Sequence, residues 1–114
     1  MLSAVLPRFR LLIAGVRVTE AAGAGQADAA RAHVAPRIEA EWARIDAHLA
    51  KNGPYLLGDT LSAADFYLTM LMRWSRHMPK PATDWPRLAA LAQRMRARPS
   101  FKALYQREGL EEWA

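Results

Sequence analysis

Leu61-Ser62-Ala63-Ala64-Asp65-Phe66 is the stretch on which the fold turns. Ser62 is placed to cap a helix by accepting a hydrogen bond from the Asp65 amide, and Asp65, three residues on, can reach back to the Ser62 amide. Leu61 before the cap and Phe66 at the fourth helical position can pack together as a hydrophobic staple. This pattern starts a helix predicted over residues 63–77. Between Phe66 and Trp74 only Thr69 and Arg73 are clearly polar. A helix that is apolar nearly all round is buried by neighbours on several sides, and this one is too short to cross a bilayer.

Four further helices are predicted around it. One covers residues 2–19, with Leu2, Val5, Phe9, Leu12 and Ile13 at helical spacing and Pro7 inside it, tolerable only near a first turn or as a kink. The AGAG run at residues 22–25 reads as a flexible break. Asp28 is the expected N-cap of the next helix, over 28–50, in which Ile38, Trp42, Ile45 and Leu49 form one stripe. Pro36 should kink this helix or mark its effective start. Lys51-Asn52-Gly53-Pro54 ends it with a cation, a turn-forming pair and a residue that cannot continue. Beyond the central helix, residues 85–97 place Leu88, Leu91, Ala92 and Met95 inward, and Pro99 stops that segment. A last short helix shows Phe101, Leu104 and Tyr105 as its apolar face and ends at Gly109. No strand pattern and no internal repeat is present. The expected fold is all-α: an irregular bundle of about five helices with a buried central helix, in one domain over residues 1–114.

Composition agrees. The chain has 114 residues, 52% of them hydrophobic, and no cysteine, which excludes disulfides, a thiolate nucleophile and cysteine-ligated metal. The net charge is +5, mostly from Arg. That balance admits a nucleic-acid or anionic-membrane partner. The densest basic run, Arg94, Arg96 and Arg98, points to different sides of a helix rather than along one stripe. No helix-turn-helix, zinc spacing or aromatic-basic signature accompanies it, so neither nucleic acid nor membrane is the expected partner. Residues 1–18 carry Arg8, Arg10 and Arg17 with no acid before Glu20, as targeting segments do. Pro7 and the early interruption of the apolar run at Arg17 argue against a secretory signal, and a cytoplasmic location is expected.

The run from Gly53 through Tyr55-Leu56-Leu57-Gly58 to Ser62-Ala63-Ala64-Asp65 is similar to the "YLxGxxxSxAD" signature in the C-terminal domain of glutathione S-transferases. Trp85-Pro86-Arg87-Leu88 and Arg98-Pro99-Ser100 resemble that family's later "YPxL" and "RPS" elements, in the same order. The resemblance runs from about residue 28 to residue 109. Near the start, Ser3, Pro7 and Phe9 match the "SxxHPxF" stretch of many bacterial members, with Leu6 where the His would stand. The family precedes this domain with a thioredoxin-like one that binds glutathione and supplies the activating Tyr, Ser or Cys, and nothing in this sequence resembles that domain.

The resemblance therefore implies the co-substrate side of a transferase that conjugates glutathione to electrophiles. The chain is expected to be truncated relative to its parent, inactive alone, and without a bound cofactor. It also implies a thioredoxin-like partner domain and a homodimer, with Leu2, Phe9, Leu12 and Ile13 along the association surface. Leu6, Phe9 and Trp74 are the expected substrate-binding residues, although Trp74 equally suits a core position. No catalytic residue is expected: Asp65 is read as a cap, not an acid or base. His33, His48 and His77 lack metal-binding spacing, and His48 is expected in solvent. Arg73, Arg76 and Lys80 are read as a solvated helix end rather than an anion site. The alternative reading is a non-catalytic helical protein-interaction module; a small basic nucleic-acid binder would rest on charge alone.

Overall fold

The structure, a computed structural model, describes residues 24–111 and 113, without the side chains of residues 24–27 and 31. The helix predicted over 2–19, with Leu6 and Phe9, lies outside the described residues. Within them the fold is all-α. Helix α1 spans Ala24–Asn52, α2 Ala63–Trp74, α3 Pro86–Arg96 and α4 Pro99–Glu108, with a short 3-10 turn at Ala82–Asp84 before α3. Among the described residues the nearest thing to a strand is one isolated bridge, Tyr55 to Gly58.

Helix α1 begins earlier than Asp28 and continues past Ala50. Ala24 and Gly25 are therefore helical rather than part of a break, and Asp28 is not the N-cap. Alanine is the strongest helix former, and the Ala-rich start outweighs a single glycine. The helix also runs through Pro36 instead of starting there. The predicted stripe of Ile38, Trp42, Ile45 and Leu49 is buried, in one cluster with Leu68, Leu71 and Met72 of α2 and Leu88, Leu91 and Met95 of α3.

The start of α2 is built around Asp65, which is 0% exposed. Ser62 at the N-cap and Asp65 at N3 form a capping box. Its strong half is the reach back: the Ser62 amide donates to Asp65 Oδ2 at 2.9 Å, and the Ser62 hydroxyl donates to the same oxygen at 3.4 Å. The other carboxylate oxygen does something the motif does not announce. Asp65 Oδ1 accepts the buried amide of Leu56 at 3.0 Å, so one carboxylate holds both the helix start and the preceding turn. The carbonyl of Leu56 in turn accepts from His48 Nε2 at 2.8 Å. His48 is thus half-buried and committed to the turn, contrary to the solvent position expected of it. Tyr55 and Gly58 exchange two backbone bonds of 3.0 and 3.1 Å, which closes the turn at the φ of +97° that Gly58 supplies.

Helix α2 ends at Trp74, shorter than the span predicted to residue 77. The cause is Ser75. Its hydroxyl donates to the Met72 carbonyl at 2.6 Å and accepts the Ala82 amide at 3.0 Å, tying the 3-10 turn to the helix end. Helix α3 has Pro86 in its first turn, where no intrahelical donor is needed. Its Arg87 and Leu88 amides are capped from α1 by Asp46 Oδ1, at 2.8 and 3.1 Å. Helix α4 also starts on a proline, Pro99. It ends in a Schellman turn: Gly109 is left-handed at φ 60°, Leu110 N–H bonds the Tyr105 carbonyl at 3.0 Å, and Gly109 N–H bonds that of Gln106 at 3.4 Å.

Removing the Asp65 carboxylate leaves two amides, those of Leu56 and Ser62, without acceptors. Asp65→Ala is expected to lower unfolding free energy by about 2–4 kcal/mol, and Asp65→Asn, which keeps one acceptor oxygen, by about half as much. Urea denaturation midpoints of the three proteins check this; an unchanged Asp65→Ala midpoint would remove Asp65 from that role.

Candidate functional site

Helix α2 is not enclosed all round. Phe66 and Met70, one turn apart, are 42% and 37% exposed, while Leu68, Leu71 and Met72 face the core. Phe66 lines an open groove, and Leu61 packs against the core without comparable exposure. The opposite wall comes from α4. There the apolar face splits: Tyr105 is 6% exposed, Phe101 is half-buried, and Leu104 is 51% exposed. Phe101 stacks on Tyr105 with ring centres 4.4 Å apart. Leu110, brought back by the Schellman turn, also lines the groove, whose volume is about 550 Å³.

The polar groups lining this groove are the Arg73 guanidinium, the Trp74 indole and the hydroxyls of Tyr67, Thr69 and Tyr105. The Arg73 guanidinium lies 5.7 Å from the Tyr105 ring centre, and that of Arg98 lies 6.0 Å from the Phe66 ring centre. Arg73 Nε, Arg98 Nε and the Tyr105 hydroxyl are buried and find no hydrogen-bond partner. The Thr69 hydroxyl is already committed to the Asp65 carbonyl at 2.7 Å. No carboxylate, imidazole or thiol is among the described residues lining the groove. Such a lining can hold an apolar group and donate hydrogen bonds; it supplies no general base and no thiol.

Of the residues singled out from the sequence, Trp74 lines this groove and is half-buried. Leu6 and Phe9 fall outside the described residues. The capping residues sit one turn before the groove and position its α2 wall. Sequence reasoning missed Tyr105 and Arg73 as groove residues. The one available signal was that the apolar α4 residues 101, 104 and 105 exceed what a narrow buried face needs. A second, smaller concavity of about 270 Å³ lies where the end of α1 meets α3, with Lys51, Arg87 and Arg94 at its edge. Among the described residues no three His, Asp or Glu side chains gather to hold a metal ion. No helix among them is long and apolar enough to cross a membrane.

A helical bundle opened by a capped central helix, with an apolar groove on one side, defines a class of domain that comparison makes specific. The model of the family "Glutathione S-transferase, C-terminal domain" matches residues 14–108, and the chain belongs to that family. It is similar to "Glutathione S-transferase GST-4.5" of Xanthomonas campestris pv. campestris, 35% identical over 74 residues. That match covers 65% of this chain and 36% of the relative, so the chain corresponds to little more than a third of that protein's length. No solved structure gives a significant match.

Groove residues and core residues should separate cleanly in stability measurements. Leu104→Ser is expected to change unfolding free energy by less than about 0.5 kcal/mol. Leu71→Ala, in the core, should cost about 2–5 kcal/mol. Thermal or urea unfolding of both variants checks this, and a large loss for Leu104→Ser would mean that Leu104 is core.

Proposed function

We propose that this chain is the helical, co-substrate side of a glutathione S-transferase-like protein, and that the α2–α4 groove seats a thioredoxin-like domain that binds glutathione. The observation that carries the reading is the groove itself. Phe66, Met70 and Leu104 form an apolar surface open to solvent, in a chain that matches 36% of its transferase relative. Contiguous exposed apolar surface of this kind marks an interaction site. The groove's lining residues bind rather than react, which suits a division of labour in which the thiol is activated on the other domain.

In the assembled protein glutathione is conjugated to an electrophile, and the electrophile's apolar body lies against Leu6, Phe9 and Trp74. The chain itself binds no cofactor. The same reading makes the working unit a cytoplasmic homodimer, associating through the segment that carries Leu2, Phe9, Leu12 and Ile13.

Two measurements test it. The 114-residue chain alone is expected to bind glutathione more weakly than millimolar by calorimetry, and to leave an aryl halide unreacted in its presence. A chimera in which this chain replaces the matched segment of the Xanthomonas transferase should conjugate glutathione to the aryl halide. In that chimera Trp74→Ala should raise KM for the halide about tenfold and leave KM for glutathione within about twofold. Millimolar or tighter glutathione binding by the isolated chain would overturn the proposed division. Sedimentation of the chain at micromolar concentration should show a dimer, and a monomeric boundary would remove the homodimer from the reading.

A further inference from the structure

Lys51, Arg87 and Arg94 line the concavity where the end of α1 meets α3, and no carboxylate lines it with them. Lys51 lies in the last turn of α1. Arg87, Ala90 and Arg94 follow one another on α3 at i, i+3 and i+7, which puts all three on one face. The two arginine Cα atoms stand about 10.5 Å apart along the helix axis. Ala90, being small, leaves the space between them open. Gly53 and Pro54 supply more of the wall, tied to α1 by the Gly53 amide, which donates to the Leu49 carbonyl at 2.7 Å.

The three cations are solvent-exposed, so a ligand can reach them. Among the described residues none of them pairs with a carboxylate. Asp46, which approaches α3 from α1, spends Oδ1 on the backbone amides of Arg87 and Leu88 rather than on a cation. The Arg94 guanidinium rests 5.6 Å from the centre of the Tyr55 ring, a contact that steadies it and leaves its charge uncompensated. Like charges around one hollow repel, and water and salt weaken that repulsion without removing it. An anion seated among them is attracted by all three at once.

A lone carboxylate offers one charge to one cation. A short chain of phosphates carries several charges over a length that reaches from one arginine towards the other, and each phosphate accepts the two-pronged geometry of a guanidinium. The volume of about 270 Å³ suits a small molecule. We infer that this hollow binds the di- or triphosphate group of a small molecule, with Arg87 and Arg94 each on a phosphate and Lys51 supplying the third charge. No residue lines both this hollow and the α2–α4 groove, so the inference stands apart from the docking role proposed above.

Calorimetry of the full 114-residue chain at low ionic strength, with inorganic triphosphate and orthophosphate as probes, tests it. Triphosphate should bind at one site, tighter than orthophosphate by about tenfold. Arg87→Gln and Arg94→Gln should each weaken triphosphate by about fivefold, and Lys51→Gln by about threefold. Ala90→Glu keeps all three cations but places a carboxylate in the hollow, and should abolish binding. Arg37→Gln removes a charge about 21 Å before Lys51 along α1 and should leave the affinity within about 1.5-fold. Far-UV circular dichroism of each variant establishes that the helices are intact. ATP in place of triphosphate distinguishes the source of the phosphates: tighter binding assigns the site to a nucleotide, equal binding to the phosphate chain alone.

Triphosphate that binds no tighter than orthophosphate would overturn the inference. So would a loss for Arg37→Gln as large as for Arg87→Gln, which would trace binding to net charge. Full affinity in Ala90→Glu would place the anion elsewhere and overturn it too.

Discussion

The buried Asp65 carboxylate is the constraint on which the arrangement of the helices depends. Its two oxygens take amides from residues nine positions apart, Leu56 in the turn and Ser62 at the start of α2. Leu56 is a buried core residue whose carbonyl is held in turn by His48 of α1. The chain of bonds therefore runs from α1 through the turn into α2 with no backbone polar group of Leu56 left to water. That matters because Asp65 and the Leu56 amide are buried, and the first amides of a helix have no partner within it. Hydrophobic burial supplies most of the stabilisation of the bundle but is indifferent to small rotations of a helix. Directional bonds to one carboxylate are not, and they set which face of α2 meets the core.

The same device recurs at the other joints. Asp46 on α1 caps α3 through Arg87 and Leu88, and Ser75 at the end of α2 takes the Ala82 amide before α3 begins. In each case a short polar side chain on one element satisfies the backbone of another. Two of the three joints tie directly to the ends of α2, so its register and direction are fixed at both termini. This is why a helix of only 12 residues can present two chemically different faces in a defined way.

Much of this was legible in the sequence, and the unequal legibility has a physical basis. The capping box, the α1 stripe and the inward residues of α3 depend on spacing within one helix, and all were found where periodicity placed them. The bonds Asp65 to Leu56, His48 to Leu56 and Asp46 to α3 join residues 8 to 42 positions apart, and no local pattern encodes them. His48 illustrates the limit: its neighbours on the helix are polar enough to suggest solvent, and only the folded turn brings a carbonyl to its ring. Pro36 separates two readings that the sequence left open: it lies inside α1 and does not mark its start. The groove was the least legible feature. An apolar residue reads the same in sequence whether it is buried or exposed in the fold, so nothing local set Phe66 and Leu104 apart from core positions.

That ambiguity is itself informative about α2. A helix with apolar residues around nearly its whole circumference must be covered on more than one side to be stable in water. Helices α1 and α3 and the 3-10 turn cover the face that carries Leu68, Leu71 and Met72. Helix α4 approaches the other face through Tyr105 and Phe101 but leaves Phe66, Met70 and Leu104 in contact with solvent. Polar residues at these three positions would serve a self-sufficient bundle equally well, since exposed helix positions place little demand on side-chain type. Their apolar character is what the docking role proposed for the groove would use. The central helix thus meets the core with one face and lines the groove with the other.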